Sequence, residues 1–178
     1  MAKNPFPKAV SINGTEFNFR LLVTTDRGAI LNFAQRLDET DLSFMRRDIT
    51  QPEMVDSWIH DVESQHATTI LIETNNQIIG YGTLYYNQLF WNRHLGEIRI
   101  LISSPFRNRG LGNRMTRELV KIAQEVGLEK VVMYMAVEDK SAQRMVEDLG
   151  FTAEALLTDW VKTRDERTHD LLIMSASI

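Results

Sequence analysis

The chain has 178 residues, 43% of them apolar and 25% charged: the length of one domain and a soluble globular composition, which excludes disordered, collagen-like and disulfide-scaffold classes. Twenty Lys and Arg against 24 Asp and Glu leave a net charge of -4, which argues against nonspecific binding to nucleic acid or to an anionic membrane. The absence of cysteine removes thiolate nucleophiles, Cys-ligated zinc and disulfides, and sets the expectation of a reducing, cytoplasmic compartment.

Residues 1–14 carry two prolines and no continuous apolar stretch, so they read as a loose segment without a secretory leader. Phe17, Phe19, Leu21 and Val23 alternate with polar residues, the period of a half-buried strand. Ile30, Phe33, Ala34 and Leu37 then recur at helical spacing after Thr25 and Asp26. A second helix is announced by Thr50 and Glu53 in capping-box positions, with Pro52 in the first turn and Val55, Trp58, Ile59 and Val62 as its buried stripe. Residues 67–73 and 77–86 are β-branched and aromatic runs joined through Asn75 and Asn76, which predicts an antiparallel hairpin. The uncharged run from Thr74 to Asn92 contains this hairpin, and its Asn and Gln residues argue against a membrane span.

A strand over 97–103 follows, and then Leu111, Met115, Leu119, Ile122 and Val126 mark one helix face ending at Gly127. Residues 131–137 read as a central strand. Ala142, Met145, Val146 and Leu149 form a further helix closed by Gly150, and two strands at 153–162 and 170–177 flank the polar turn 163–168. The order is β-α-α-β-β-β-α-β-α-β-β, which predicts a single α/β domain of mixed layers spanning 1–178.

The stretch richest in chemistry is Arg107-Asn108-Arg109-Gly110-Leu111-Gly112-Asn113-Arg114. It lies between a predicted strand and a predicted helix, where glycines let a ligand approach the backbone and the first helical turn offers unpaired N–H groups in a positive dipole. A pyrophosphate suits such a site. The spacing is neither GxGxxG nor a Walker loop, since Met115 follows Arg114 and no Gly-Lys-Ser/Thr occurs. A left-handed turn with a solvated Arg cluster is the plainer alternative.

With Arg107, Gly110 and Gly112, the sequence resembles the GNAT superfamily of acetyl-CoA-dependent N-acetyltransferases, whose hallmark is Arg/Gln-x-x-Gly-x-Gly/Ala after the fourth strand. The element order, the Ser103-Ser104-Pro105 approach and the Gly150-Phe151 helix ending follow the family as well. The resemblance implies a mixed, mostly antiparallel sheet flanked by helices, with acetyl-CoA as cosubstrate and no metal. It further implies that the backbone of Arg109, Gly110, Leu111, Gly112, Asn113 and Arg114 holds the pyrophosphate, while Leu101, Ile102 and Ser103 pair with the pantetheine arm. The thioester is then expected where the fourth and fifth strands splay. The family's usual Asn, Ala and Tyr before Gly-Phe correspond to Asp139, Ala142 and Val146. Asp139 and Ala142 are thereby implied in cofactor binding, whereas Val146 removes the commonest general acid, a loss of about 10²- to 10⁴-fold where that proton matters. Thiolate still leaves tolerably unprotonated, its thiol pKa being near 8.5.

An ammonium has no lone pair, so transfer to an amine needs a base or a water chain. Glu97 shares strand parity with Arg99, Leu101 and Ser103 and is the first candidate; the alternative is a strand-end charge paired with Arg93 or Arg99. Tyr134, on the fifth predicted strand, is the candidate replacement acid, or else a packed core tyrosine. His60, His66, His94 and His169 have no metal-ligand spacing and read as surface or locally bonded groups. Tyr81, Tyr85, Tyr86, Phe90 and Trp91 either line an acceptor pocket or pack as core and loop, and Arg46-Arg47-Asp48 reads as a solvated surface run. The expected activity is acetyl transfer to a primary amine of a small molecule or a protein, with a homodimer left open. The alternatives are a catalytically weak acyl-CoA-binding or sensing module and a generic phosphate-binding domain.

Overall fold

The computed structural model describes residues 5–178. Its elements are β1 (Lys8–Ile12), β2 (Thr15–Leu21), α1 (Arg27–Ala34), α2 (Glu39–Ser43), α3 (Pro52–Glu63), β3 (Ala67–Thr74), β4 (Gln77–Tyr85), β5 (Leu95–Ile102), α4 (Leu111–Glu125), β6 (Lys130–Ala136), α5 (Lys140–Glu147), β7 (Thr152–Lys162) and β8 (Thr168–Ser177). All the strands join one eight-stranded sheet in the order β1-β2-β3-β4-β5-β6-β8-β7. Neighbours run antiparallel except β5 and β6, which are parallel. This is the mixed, mostly antiparallel sheet with flanking helices that the sequence led us to expect.

Period-2 alternation sorts the strand side chains onto two helical layers. On β3, Ile70 and Ile72 point to the layer holding Leu111, Met115 and Leu119 of α4, whereas Leu71 faces Ile30 and Phe33 of α1 and Val55 and Trp58 of α3. Each such fully buried side chain contributes about 1.5–3 kcal/mol. The Trp58 Nε1–H donates to Thr69 Oγ1 at 3.0 Å, and the Thr69 and Thr83 hydroxyls are 2.9 Å apart, so a buried polar chain ties α3 to β3 and β4. The β3–β4 hairpin turns on Asn75 and Asn76 with φ of 50° and 59°, the left-handed pair expected of those residues.

Two local expectations are corrected and one unforeseen helix is added. The segment thought loose contains β1, which pairs with β2 across Asn13 and Gly14, both at positive φ; Lys8 on this strand pairs with the buried Glu118 of α4 at 2.5 Å. The Thr50–Glu53 capping box is absent: Gln51 is the N-cap of α3 without a side-chain cap bond, because the Thr50 hydroxyl donates to Asp48 instead, at 2.6 Å. The short α2, too brief for a periodic signature, is started by Asp38, whose carboxylate accepts from the Asp41 N–H at 2.8 Å. No helix among the described residues is long and apolar enough to cross a membrane.

Candidate active site

The parallel pairing of β5 and β6 runs through Leu95↔Lys130, Gly96↔Val131 and Glu97↔Val132 and stops there. Beyond it β5 stays with β4 as far as Gly80↔Ile102, while β6 stays with β8 as far as Ala136↔Leu171. The two strands therefore part into a cleft whose facing backbone edges have no strand partner among the described residues. Main-chain N–H and C=O groups on such edges are ready to bond an extended ligand.

The cleft leads directly into the glycine loop. Ser103 closes β5 with its N–H and hydroxyl both donated to the Ile79 carbonyl, at 3.0 and 2.9 Å. Arg107 then donates from Nε to the Ile102 carbonyl at 2.9 Å and from Nη2 to Asp41. Asp41, whose side chain is 1% exposed, also accepts from the Ser104 hydroxyl at 2.8 Å. Asn108 and Gly110 adopt φ of 58° and 77°, and that double left-handed turn lets α4 start at Leu111, whose side chain is anchored in the core. Glycine suits the second of these positions because a Cβ there is penalised. The N-cap Gly110 supplies no side-chain bond, no acidic residue sits in the first turn, and the first intrahelical bond is Arg114 N–H to Gly110 O at 3.1 Å. Helical geometry thus leaves the N–H groups of Leu111, Gly112 and Asn113 open to an external anion. The Arg109 and Arg114 side chains are exposed beside them, and Arg109 lies 5.5 Å from the Phe106 ring centroid.

The opposite side of the cleft carries charge. Glu97, at the last paired position, accepts from Arg99 Nε at 2.6 Å and from Arg46, which reaches down from the α2–α3 loop. The Arg46 guanidinium also lies 4.7 Å from the centroid of Tyr134, two residues past the parting point on β6, so it spans the cleft. Arg47 donates to Asp61 at 2.9 Å, and Arg99 and Arg47 lie 4.3 and 5.7 Å from the Tyr85 ring centroid. Burial pushes the Tyr85 hydroxyl pKa up against the opposing pull of these two cations. Burial alone lowers the pKa of Arg99, but its bond and attraction to Glu97 outweigh this and leave it raised.

The sequence matches the family model described as "Acetyltransferase (GNAT) family" over residues 33–151. The chain belongs to the GNAT acetyltransferase family. A protein described as an uncharacterized N-acetyltransferase of Methanocaldococcus jannaschii is 26% identical over 93 residues, covering 51% of this chain and 41% of that protein. This GNAT chain thus spans about two fifths of the length of the curated relative it matches. A GNAT-family acetyltransferase structure from Streptococcus pneumoniae superposes with a TM-score of 0.79 at 20% identity, covering 91% of this chain and 99% of that one. The spermidine N-acetyltransferase of Vibrio cholerae, solved with CoA and spermine, gives 0.74 at 16% identity over 90% and 95% of the two chains.

Against the family pattern, the structure places Leu101, Ile102 and Ser103 on the cleft-side end of β5 and Arg109 to Arg114 on the loop and first turn. Arg107 is turned inward as a strut between Ile102 and Asp41. Asp139 caps α5, its carboxylate accepting from the Ala142 N–H at 2.9 Å, and Ala142 packs partly into the core. Val146 is completely buried against that core. Glu97 has the Arg99 partner foreseen for a strand-end charge, with Arg46 in addition. Arg46-Arg47-Asp48, read as a solvated run, instead folds onto Glu97, Tyr134, Tyr85 and Asp61, while Asp48 pairs with Arg164 at 2.9 Å. The aromatic cluster divides: Tyr81 packs 4.6 Å from Trp58, whereas Trp91 on the β4–β5 loop is 92% exposed. Asp41, which braces Ser104 and Arg107, went unnoticed in the sequence, and no local signal marks it. Two surface depressions, of about 210 Å³ beside Leu22 and Val62 and about 500 Å³ beside Gly14 and Asn75, lie away from the cleft.

Proposed function

We propose that this GNAT protein transfers an acetyl group from acetyl-CoA directly to a primary amine within a ternary complex. The observation that carries the reading is the continuity of the β5–β6 cleft with the uncapped start of α4, a groove with open backbone groups ending at an anion site. In this reading the Leu111, Gly112 and Asn113 N–H groups hold the pyrophosphate, with Arg109 and Arg114 adding charge. The free edge at Leu101, Ile102 and Ser103 pairs with the pantetheine arm. Arg107 holds that loop in shape through Asp41, and Asp139 and Ala142 set the start of α5 on the far wall.

The amine nitrogen attacks the thioester carbonyl carbon. A C–N bond forms, the C–S bond breaks, and sulfur leaves with the electron pair. Glu97 accepts the ammonium proton through water and Tyr134 returns one to the departing thiolate; both reside where the strands part. Backbone donors in the cleft polarise the carbonyl.

The test is acetyl-CoA turnover with a panel of amines, using Glu97→Gln. The variant is expected to lose about 10²-fold in kcat/KM at pH 7 with acetyl-CoA affinity nearly unchanged. The deficit shrinks as pH rises, because more amine arrives neutral. A constant deficit, or none, returns Glu97 to a purely structural ion pair. Val146 favours a second reading, an acyl-CoA-binding or sensing module, for which tight binding without transfer to any amine is the expected result.

A further inference from the structure

The face of the cleft opposite α4 holds more positive charge than its own partners neutralise. Three guanidiniums, of Arg46, Arg47 and Arg99, gather around Tyr85 and Tyr134. Two carboxylates answer them: Glu97 serves both Arg46 and Arg99, and Asp61 takes Arg47 Nη2. The pairs at the rim are closed within themselves, Asp48 with Arg164 and Glu138 with His169, each at 2.9 Å. Arg47 Nη1 is buried and has no hydrogen-bond partner. A buried, charged N–H left unpaired is costly, and an acceptor atom brought against it by a ligand would relieve that cost.

That place adjoins the chemistry. Tyr85, over which Arg47 lies, is the β4 partner of Glu97, and Glu97 is the residue at which β5 and β6 part. We infer that the acceptor is a primary amine that also bears a carboxylate, the chemical class of a free amino acid, with Arg47 Nη1 donating to the carboxylate while the amine faces the cleft. The inference rests on the acetyl-transfer reading and narrows its substrate. A carboxylate supplies oxygen acceptors of opposite charge to the guanidinium. A polyamine brings only further positive charge toward three arginines, and a carboxamide brings an acceptor without charge.

The experiment compares kcat/KM for a panel of standard L-amino acids, the matching L-amino acid amides, spermidine and a short peptide with a free N-terminus, in the wild type and in Arg47→Lys. Lysine keeps a cation opposite Asp61 and gives up Nη1. The acids are expected to exceed their amides by about 10- to 100-fold, the range of one charge-assisted hydrogen bond, and Arg47→Lys should bring that ratio toward one, its loss falling on the acids more heavily than on the amides. Calorimetric binding of N-acetyl-amino acids against N-acetyl-amino acid amides to the CoA-loaded protein reads the same contact without turnover. Equal handling of acids and amides, preference for spermidine or the peptide, or binding of neither acetylated series overturns the inference. Selective binding of the acids with no transfer to any amine upholds the carboxylate site and overturns the transferase reading; transfer that ignores the carboxylate does the reverse.

Discussion

Gly112→Ala separates what the loop needs for folding from what it needs for a ligand. Gly112 lies in the first turn of α4 outside the positive-φ region, so an alanine there suffers no backbone strain. A Cβ at this position would sit 3.7 Å from Met145 Cε and 3.8 Å from Ile102 Cδ1, ordinary contact distances at the seam between β5 and α5. Nothing within the chain demands a glycine. The substitution removes unfolded-state entropy and improves helix propensity, together about 0.5–1 kcal/mol in favour of the ligand-free fold. For a domain of this size that is roughly 1–4 °C in Tm. The new methyl group also stands where a pyrophosphate would press against the backbone. Displacing one charge-assisted bond costs about 1.5–3 kcal/mol, or roughly 10- to 150-fold in Kd. Thermal melts without ligand, paired with calorimetric titration of acetyl-CoA, read both terms. A lower Tm in the ligand-free protein, or an unchanged Kd, would refute the reasoning.

Asp41→Asn removes the charge that holds Arg107 and Ser104 in place; acetyl-CoA affinity should fall about tenfold or more through loosening of the loop, checked by the same titration with circular dichroism as a control for the fold. Asp26 is held by Arg20 through two bonds of 2.8 Å; burial works to raise its pKa, but the guanidinium and the Val23 N–H prevail and leave it below its ordinary value of 3.8. Its stabilisation is therefore complete above pH 3.8 and is lost as pH falls through the lower folded value. Asp26→Asn should lower stability at pH 7 by on the order of 2 kcal/mol and flatten the acid limb of a Tm-against-pH curve; an unaltered limb would count against this account. Thr69→Val strands the buried Trp58 N–H, so urea denaturation should show a loss of about 1–3 kcal/mol.

Where a rule acts over a few residues, the sequence alone determined most of the outcome, the Thr50–Glu53 capping box excepted. Asn75 and Asn76 form the hairpin because their side chains tolerate the left-handed backbone that a two-residue turn requires. Leu111, Met115 and Leu119 are buried because their spacing matches one helix face, and the Arg107 to Arg114 loop announced itself by glycines and arginines between a strand and a helix. β1 escaped notice because five residues of partial alternation are a weak pattern until β2 lies beside them. The tertiary structure decided the rest. Arg107 and Asp41 are 66 residues apart, and no local spacing relates a strut to the buried carboxylate it grips. The parting of β5 and β6 after Glu97↔Val132 is a matter of register between distant segments, and side-chain periodicity within one strand carries no information about where its neighbour departs. Arg46 and Arg47 read as solvated because charge at a loop is usually hydrated; it is the path of the α2–α3 loop over the sheet that turns them onto Glu97, Tyr134 and Tyr85.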